Sequence, residues 1–220
     1  MKKIIIFGIS NYAQMLYYYC TQESRLDVVA FTVNEKYFPK QHNLPVKLIS
    51  FEKICNNFSR DEHDVLPAIG YYQMNQQRKA VVEVICSAGF QVVSYFHPTS
   101  CIAKNACIDS GTVILEHVVV QPFVKLGKGN VLWSNVNIAH HTQVGDYNFF
   151  APGASVSGDV IIKDFSFFGN NCTIKNGVVV SSSSLIGAGA FLAHDTEKTQ
   201  VYGATKAQLK INNAHFYREF

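Results

Sequence analysis

Two adjacent histidines, His140 and His141, carry the clearest chemical signal in this sequence. Histidine takes up and releases protons near neutral pH and is also a common metal ligand. His140 stands two residues after Ile138, which belongs to a regular apolar series, and five residues before Gly145. We therefore expect His140 to lie past a corner of the chain and to point outward. An outward histidine does not fill a core, so it is either a general base or an ordinary surface residue.

The element that positions these histidines is a six-residue repeat in the second half of the chain. Sixteen consecutive positions, six residues apart from Ile102 to Leu192, are all Ile, Val, Leu or Phe. The residue two places before each is mostly small, which relieves crowding at a corner. A period of six fits a coil with three short faces and eighteen residues per turn. The repeat therefore predicts a parallel β-helix of roughly five turns, stacked about 4.8 Å apart.

Eighteen residues per turn also predict which residues are neighbours along the β-helix. Gly158 is expected to stack over His140 and to leave space there for a substrate. Asp159 is expected about 4.8 Å from His141. The geometry of the repeat thus predicts a carboxylate beside the histidine pair.

A row of small side chains is predicted along the same β-helix. Eighteen-residue steps place Asn170 between Pro152 and Ala188. Gly187 and Gly189 flank Ala188 and keep the row narrow, so that a ligand could approach the backbone. A turn glycine explains the run Gly187-Ala188-Gly189 equally well.

The first hundred residues predict a different architecture, an α/β unit with a parallel sheet. Short apolar runs alternate with helical segments, an order typical of doubly wound sheets. The predicted strands are 3–7, 27–31, 45–49 and 65–69, with a long helix at 73–88 and a closing segment at 91–95. A ligand on such a sheet lies at the carboxyl ends of the strands.

The loop at residues 8–13 is the candidate ligand-binding loop of this unit. It begins with Gly8, but Ser10 and Ala13 stand where a dinucleotide-binding loop has its second and third glycines. A side chain at the second position hinders the approach of a pyrophosphate, which excludes a redox dinucleotide. The loop then holds a smaller nucleotide-linked ligand or only joins a strand to a helix.

Composition excludes several classes of protein. Of 220 residues, 48% are hydrophobic and 16% are charged, which excludes an intrinsically disordered chain. No run of eighteen apolar residues occurs, so no membrane span is expected. The net charge of +3 is spread without a basic stripe, which argues against a nucleic-acid partner. The six cysteines lack metal-type spacing and the N-terminus does not fit a signal peptide, so we expect a cytoplasmic protein.

The repeat behind a small nucleotide-binding-like unit resembles the sialic acid O-acetyltransferase and bacillosamine N-acetyltransferase family of bacterial sugar acyltransferases. The resemblance runs over the whole chain, through Ile4-Ile5-Ile6-Phe7-Gly8, Ala68-Ile69-Gly70, His97-Pro98 and Tyr202-Gly203. It implies an α/β Rossmann-like sugar-nucleotide-binding domain at 1–96, an all-β left-handed parallel β-helix at 97–206 and a C-terminal tail at 207–220. It also implies homotrimers that hold acetyl-CoA between neighbouring coils.

The same resemblance implies roles for individual residues. The family's base is the histidine five residues before the glycine of the next repeat, which is His140 here. An acidic residue usually follows that histidine, whereas this chain has His141, and we expect Asp159 to replace the carboxylate or to hold His141. The residues implied to contact acetyl-CoA are Phe149, Gly158, Asn170, Gly187, Ala188, Gly189 and Lys206. The residues implied to contact a sugar nucleotide are Ser10, Asn11, Tyr12, Asn34, Glu35 and Gly70.

The implied function is acetyl-CoA-dependent acetylation of an amino or hydroxyl group on a sugar, with a nucleotide-activated sugar as the expected acceptor. The setting would be bacterial surface polysaccharide or glycan synthesis. Transfer is expected to be direct, with His140 as the base and a backbone N–H group stabilising the oxyanion. An amine acceptor is slightly favoured over a hydroxyl, because a weakly activated histidine suffices for it.

Two other functions remain open at this point. A non-catalytic trimeric binding or scaffold protein would also have uninterrupted repeats. A zinc enzyme of the γ-carbonic-anhydrase type needs three converging nitrogens at about 2.0–2.1 Å from the metal. His117 lies 24 residues before His141, one turn plus a full face away, so no metal site is expected.

A trimer interface is predicted from aromatic residues at outward or corner positions of the β-helix. The alternative is that some of them lie beneath the N-terminal unit. These residues are Trp133, Phe149, Phe165 and Phe167.

Overall fold

The structure, a computed structural model, describes residues 2–205. An N-terminal α/β unit is followed by a β-helix. The unit contains strands β1 (Lys3–Phe7), β2 (Val28–Val33), β3 (Lys47–Ser50) and β4 (His63–Pro67), and helices α1 (Asn11–Tyr18), α2 (Ile54–Asn57) and α3 (Gln76–Ser87). Within these residues, no helix is both long enough and apolar enough to cross a membrane.

The four strands of the unit form one parallel sheet in the order β3-β2-β1-β4. Alternate side chains of β1 enter two separate cores. Ile4 and Ile6 pack on the side that includes Leu16 of α1, while Ile5 and Phe7 pack on the side of α3. Both faces of β1 are therefore covered, which explains why its sequence is apolar without alternation.

The segment predicted to close this sheet is divided between the two parts of the chain. Val92 forms an isolated parallel bridge to Val65 of β4. Tyr95–Phe96 is instead β5, the first strand of the β-helix, and pairs with Val113–Ile114. The β-helix thus begins before residue 97, because the chain leaves the sheet edge and enters the first coil between Val92 and Tyr95.

The β-helix consists of two-residue strands, β5–β22, arranged as three parallel sheets. The first face contains β5 (Tyr95–Phe96), β8 (Val113–Ile114), β11 (Val131–Leu132), β14 (Phe149–Phe150), β17 (Phe167–Phe168), β20 (Leu185–Ile186) and β22 (Val201–Tyr202). The second face contains β6 (Cys101–Ile102), β9 (Val119–Val120), β12 (Asn137–Ile138), β15 (Ser155–Val156), β18 (Thr173–Ile174) and β21 (Phe191–Leu192). The third face contains β7 (Cys107–Ile108), β10 (Lys125–Leu126), β13 (Gln143–Val144), β16 (Ile161–Ile162) and β19 (Val179–Val180).

The predicted eighteen-residue turn is confirmed by the strand register. Each strand pairs with the one eighteen residues further on, and only the last pair of the first face, Leu185 with Val201, departs from this step. Every repeat position from Ile114 to Leu192 is buried. The rings of Phe150 and Phe168 stack inside the core with centroids 4.5 Å apart. Inward packing therefore fixes the length of each turn.

The outward side of the first face lies under the N-terminal unit. Phe149 is only 5% exposed, and the ring of Tyr71 lies 5.1 Å from Phe149 and 5.0 Å from Phe167. For these two phenylalanines the prediction of a trimer interface is wrong and the alternative is correct, because the N-terminal unit already covers the apolar surface that they offer.

The other two aromatic residues of that prediction also have partners within the chain. Trp133 packs against Tyr12 of α1, with ring centroids 5.6 Å apart. Phe165 stacks on Tyr147 of the preceding coil at 5.7 Å. Trp133 thus belongs to the contact between the two parts, and Phe165 to a ladder along one corner.

A buried cation, Arg78 of α3, ties the N-terminal unit to the β-helix. Its guanidinium donates to the carbonyl oxygens of Gly129 at 2.7 Å, Gly70 at 2.7 Å and Asn148 at 3.0 Å. All its acceptors among residues 2–205 are carbonyl or amide oxygens, so it is held by dipoles from both parts of the chain. Burial lowers the pKa of Arg78 to about 10.

Replacing this cation is expected to weaken the whole chain. Arg78→Met would remove the donor from the carbonyl groups of Gly70 and Gly129, while that of Asn148 keeps the N–H of Val131. A buried carbonyl group without a donor costs about 1–3 kcal/mol, and the packing of the guanidinium is lost as well. We expect the free energy of unfolding in urea to fall by about 3 kcal/mol or more. Lys79→Met is the matched control, because its exposed ion pair with Glu83 is worth less than about 1 kcal/mol. Equal losses in the two variants would contradict the role of Arg78.

Candidate active site

The two histidines lie at the corner between the second and third faces, after β12 and before β13. Both side chains are exposed, as predicted. His141 has a φ of 60°, and Phe123 and Asp159, at the same corner of the neighbouring coils, have φ values of 67° and 57°. The N–H of His141 donates to the carbonyl oxygen of Pro122, and that of Asp159 donates to the carbonyl oxygen of His140. We call this corner the histidine edge.

The imidazole of His140 rests against the backbone of Gly158. A Cβ atom at Gly158 would lie only 2.4 Å from Cε1 of that ring. The predicted stacking is confirmed, but the predicted space for a substrate is absent, because the ring of His140 itself fills it. Gln121 adds a second constraint, since its Oε1 accepts the backbone N–H of His140 at 3.0 Å. Glycine at position 158 therefore determines where the His140 ring can lie.

The two imidazoles contact each other through equivalent nitrogens. Nδ1 of His140 lies 3.2 Å from Nδ1 of His141, and the rings are nearly perpendicular. One nitrogen must donate and the other accept. The ring of His141 also stacks on Phe123 with centroids 4.7 Å apart. When Nδ1 of His140 is the donor, its Nε2 carries the lone pair that could accept a proton.

Asp159 joins this pair from the next coil. One nitrogen of each histidine and one carboxylate oxygen of Asp159 all lie within 4.8 Å of one another. His117, the third histidine considered from the sequence, is not part of this group, because it follows β8 at the corner between the first and second faces. The structure thus brings together His140, His141 and Asp159 and leaves His117 on another edge.

The row predicted to contact acetyl-CoA lies at the corner between the first and second faces. The N–H of Gly189 donates to the carbonyl oxygen of Asn170 at 2.8 Å, which brings Ala188, eighteen residues after Asn170, beside it on the next coil. A Cβ at Gly169 would lie 2.4 Å from the nitrogen of Ala188, so the backbones of the two coils are close here. Asn170 and Ala188 are exposed. Within one chain, the second face separates this row from His140.

The structure describes two further residues predicted to contact acetyl-CoA, Phe149 and Gly187. The ring of Phe149 faces the N-terminal unit, so the structure does not place it where a coenzyme could touch it. Gly187 lies beside the row, since a Cβ at Gly169 would come within 2.8 Å of its carbonyl carbon, and its N–H donates to the carbonyl oxygen of Tyr202 at 2.6 Å. Lys206 lies outside the described residues.

A crevice in the N-terminal unit brings together three of the six predicted sugar-nucleotide contacts. Ser10, Asn34 and Gly70 line a cavity of about 270 Å³ at the carboxyl ends of β1, β2 and β4. An adjoining cavity of about 660 Å³ shares part of this lining, including Tyr37 and Tyr72. The crevice lies where the strand order reverses beside β1, the usual ligand position in open α/β sheets.

The other three predicted contacts do not line this crevice. Tyr12 packs on Trp133, and burial raises the pKa of its hydroxyl. Glu35 lies beside Lys53, with 3.8 Å between carboxylate and ammonium. Asn11 is the first residue of α1 and is exposed. Ser10, by contrast, also accepts the N–H of Ala13 and caps the helix.

Several residues of these sites were missed from the sequence. Phe123 stands eighteen residues before His141, so the same arithmetic that found Asp159 could have found it. Tyr37 and Tyr72 follow β2 and β4 and are 55% and 66% exposed, but no pattern marks them. Arg78 is a single charge in a helix, and only the folded chain shows it to be buried.

No protein-family model and no curated protein matches this chain. Solved structures do match. The acetyltransferase domain of PglB from Neisseria gonorrhoeae FA1090 is 20% identical with a TM-score of 0.82, over 93% of this chain and 97% of that one. PerB from Caulobacter crescentus, in complex with CoA and GDP-perosamine, is 17% identical with a TM-score of 0.80, over 96% and 98%. WeeI from Acinetobacter baumannii AYE is 20% identical with a TM-score of 0.76, over 91% and 94%.

These likenesses confirm the predicted resemblance at the level of the fold. The chain belongs to the structural class in which a parallel α/β unit precedes a hexapeptide-repeat β-helix. Within that class, it has the fold of the sugar acetyltransferase structures named above, and its short parallel strands fit their left-handed β-helix.

The contact between Gly158 and His140 can be tested directly. In Gly158→Ala the new Cβ would lie 2.4 Å from Cε1 of His140, closer than two carbon atoms can approach, so the ring of His140 must shift. We expect a large shift of the His140 imidazole signal in ¹H–¹⁵N spectra. Gly203→Ala is the control, because a Cβ there meets no atom within 4 Å. An unchanged His140 signal in Gly158→Ala would contradict this geometry.

Proposed function

We propose that the protein is an acetyl-CoA-dependent acetyltransferase that modifies an amino or hydroxyl group of a nucleotide-linked sugar in the cytoplasm, for bacterial surface polysaccharide or glycan synthesis. The observation that carries this proposal is the His140–His141 pair, held outward at one edge of a β-helix. The fold supports it, since one structural neighbour was solved in complex with acetyl coenzyme A and another with CoA and GDP-perosamine.

His140 is the proposed general base. The acceptor nitrogen or oxygen attacks the thioester carbonyl carbon while Nε2 of His140 takes its proton. The tetrahedral intermediate carries a negative oxygen, which a backbone N–H group stabilises. The carbon–sulfur bond then breaks, and the coenzyme thiolate leaves and takes up a proton. The products are the acetylated sugar and free CoA.

His141 takes the place of the usual acidic neighbour in this proposal. The two Nδ1 atoms are 3.2 Å apart, and the proposal takes Nδ1 of His140 as the donor, which leaves the lone pair of His140 on Nε2. Stacking on Phe123 keeps the ring of His141 in position. This chain has no carboxylate at position 141, and Asp159 instead supplies a negative charge near the histidine pair.

Direct transfer is preferred to a covalent acyl-enzyme. Cys172, the thiol nearest to the proposed chemistry in the sequence, is 1% exposed and lies in the core of the β-helix. Burial raises the pKa of this thiol to about 12, so it remains protonated and a poor nucleophile.

A second copy of the chain is proposed to complete the site. The base lies on one edge of the second face, and the row with Asn170 and Ala188 lies on the other edge. A coenzyme in contact with that row would therefore meet His140 most easily across a contact between copies. Trimerisation is proposed because it would bring the row of one copy close to His140 of another. The aromatic residues that the N-terminal unit covers do not support it.

The crevice of the N-terminal unit is proposed to hold the nucleotide, as in a Rossmann-like domain. Two exposed tyrosines, Tyr37 and Tyr72, offer rings on which a base can stack. Within residues 2–205, the amide of Asn34 makes no hydrogen bond, so it is free to donate to or accept from a ligand. Ser10 lies at the N-terminus of α1, where phosphate oxygens are favoured.

Removing the base is the main test of the proposed reaction. His140→Ala should lower the rate of acetylation about 10²–10⁴-fold, the usual contribution of a general base. The assay incubates acetyl-CoA with a panel of nucleotide-linked amino sugars and follows products by mass spectrometry. His42→Ala is the matched control, because His42 is an exposed histidine of the N-terminal unit that does not line the crevice. A His140→Ala variant as active as the control would overturn the assignment, and a wild type inactive on every acceptor would favour a scaffold.

The nucleotide site has its own test in two adjacent residues. Asn34 lines the crevice and Glu35 does not, so Asn34→Ala should weaken nucleotide binding about tenfold, the equivalent of one hydrogen bond. Glu35→Ala should leave binding unchanged. Isothermal titration with UDP, dTDP and GDP measures both. Equal effects of the two substitutions would place the nucleotide elsewhere.

A further inference from the structure

The cluster of His140, His141 and Asp159 has the donor set and spacing of a metal site. We propose that these three residues bind one divalent ion of the zinc class, and that the bound ion switches off the base. The inhibition of the base rests on the proposed function, whereas the binding of the ion does not. The position of His117 in the sequence argues against a site of three histidines, but the structure supplies Asp159 as a third ligand.

The distance between the two imidazoles fits a shared ion. A tetrahedral zinc ion with Zn–N bonds of about 2.0–2.1 Å places two nitrogen ligands about 3.3–3.4 Å apart. The Nδ1 atoms of His140 and His141 are 3.2 Å apart, close to this value before any ion is bound. One carboxylate oxygen of Asp159 lies within 4.8 Å of a ring nitrogen of each histidine, and the exposed side chain of Asp159 can rotate to approach further.

The two histidines are held in place by contacts that a metal would not disturb. Gly158 supports the ring of His140, and Phe123 stacks on the ring of His141. A site built on side chains that are already fixed needs little reorganisation to bind. Two imidazoles and one carboxylate suit zinc and related first-row ions, with water completing the tetrahedron.

Occupation of this site would prevent the proposed chemistry. An ion on Nδ1 of His140 uses the lone pair of that nitrogen, so the hydrogen of the neutral ring must be on Nε2. His140 then has no lone pair with which to take a proton from the acceptor. A related protein with an acidic residue at the position of His141 would lack the second imidazole. Inhibition by the bound ion would therefore be particular to chains that have two histidines here.

Binding is tested with cobalt as a spectroscopic probe. The full chain is freed of metal by a chelator and titrated with Co²⁺ in the absence of acetyl-CoA and acceptor. We expect one equivalent to bind with the visible bands of tetrahedral cobalt, without the near-ultraviolet band of sulfur ligation, and Zn²⁺ to displace it. A sulfur band would place the ion on an exposed cysteine such as Cys107 and overturn the proposal, as would the absence of binding.

Variants locate the ion. His141→Asn and Asp159→Asn should each weaken Co²⁺ binding at least tenfold, because each loses a ligand. Asparagine tolerates the left-handed backbone at both positions, so these variants are expected to fold. His117→Asn is the matched control, since His117 is exposed and has a φ of 56°. Equal affinity in the three variants would overturn the site.

The switching half is tested separately in the acetylation assay. Zn²⁺ at ten times its dissociation constant should lower the wild-type rate about tenfold, and EDTA should restore it. Acetylation that continues with zinc bound would overturn the switch. A metal-free protein without activity on any acceptor would overturn the proposed function and leave the cobalt titration valid.

Discussion

The rest of this structure depends on inward packing along the β-helix. Each turn must deliver three large apolar side chains to a narrow core, and those of successive turns stack, as Phe150 does on Phe168. An extra residue in any turn would move one apolar side chain to the outside. The core therefore holds the turns at eighteen residues through most of the helix. The packing of the core thereby determines which residues of successive turns are neighbours on the surface of the β-helix.

The histidine edge is a direct product of that constraint. His140 meets Gly158, and His141 lies between Phe123 and Asp159, because these residues are one turn apart. Short turns between two-residue strands of successive coils thus bring the cluster together, and no long loop is needed to position it. His141, directly after His140, gives this edge a second imidazole, and the proposed metal site follows from it.

The N-terminal unit is held to the β-helix by a different kind of interaction. Aromatic rings from both parts cover the first face, and Arg78 joins carbonyl groups of Gly70 and Gly129 across the contact. This contact uses the first face, so the second and third faces carry what the β-helix can offer to another copy. The crevice of the N-terminal unit, which Gly70 lines, is thereby held at a constant position relative to the β-helix.

The sequence by itself determined the period, the inward residues and the pairs of stacked neighbours, because a strict repeat encodes contacts at a fixed separation. It also predicted the parallel sheet, since buried strands are continuously apolar. Only the tertiary structure decided that Phe149 faces the N-terminal unit, that His140 fills the space over Gly158, and that Arg78 is buried. Contacts between two distant parts of the chain, and the rotamers of side chains at a corner, depend on shape in three dimensions, which no spacing along the chain records.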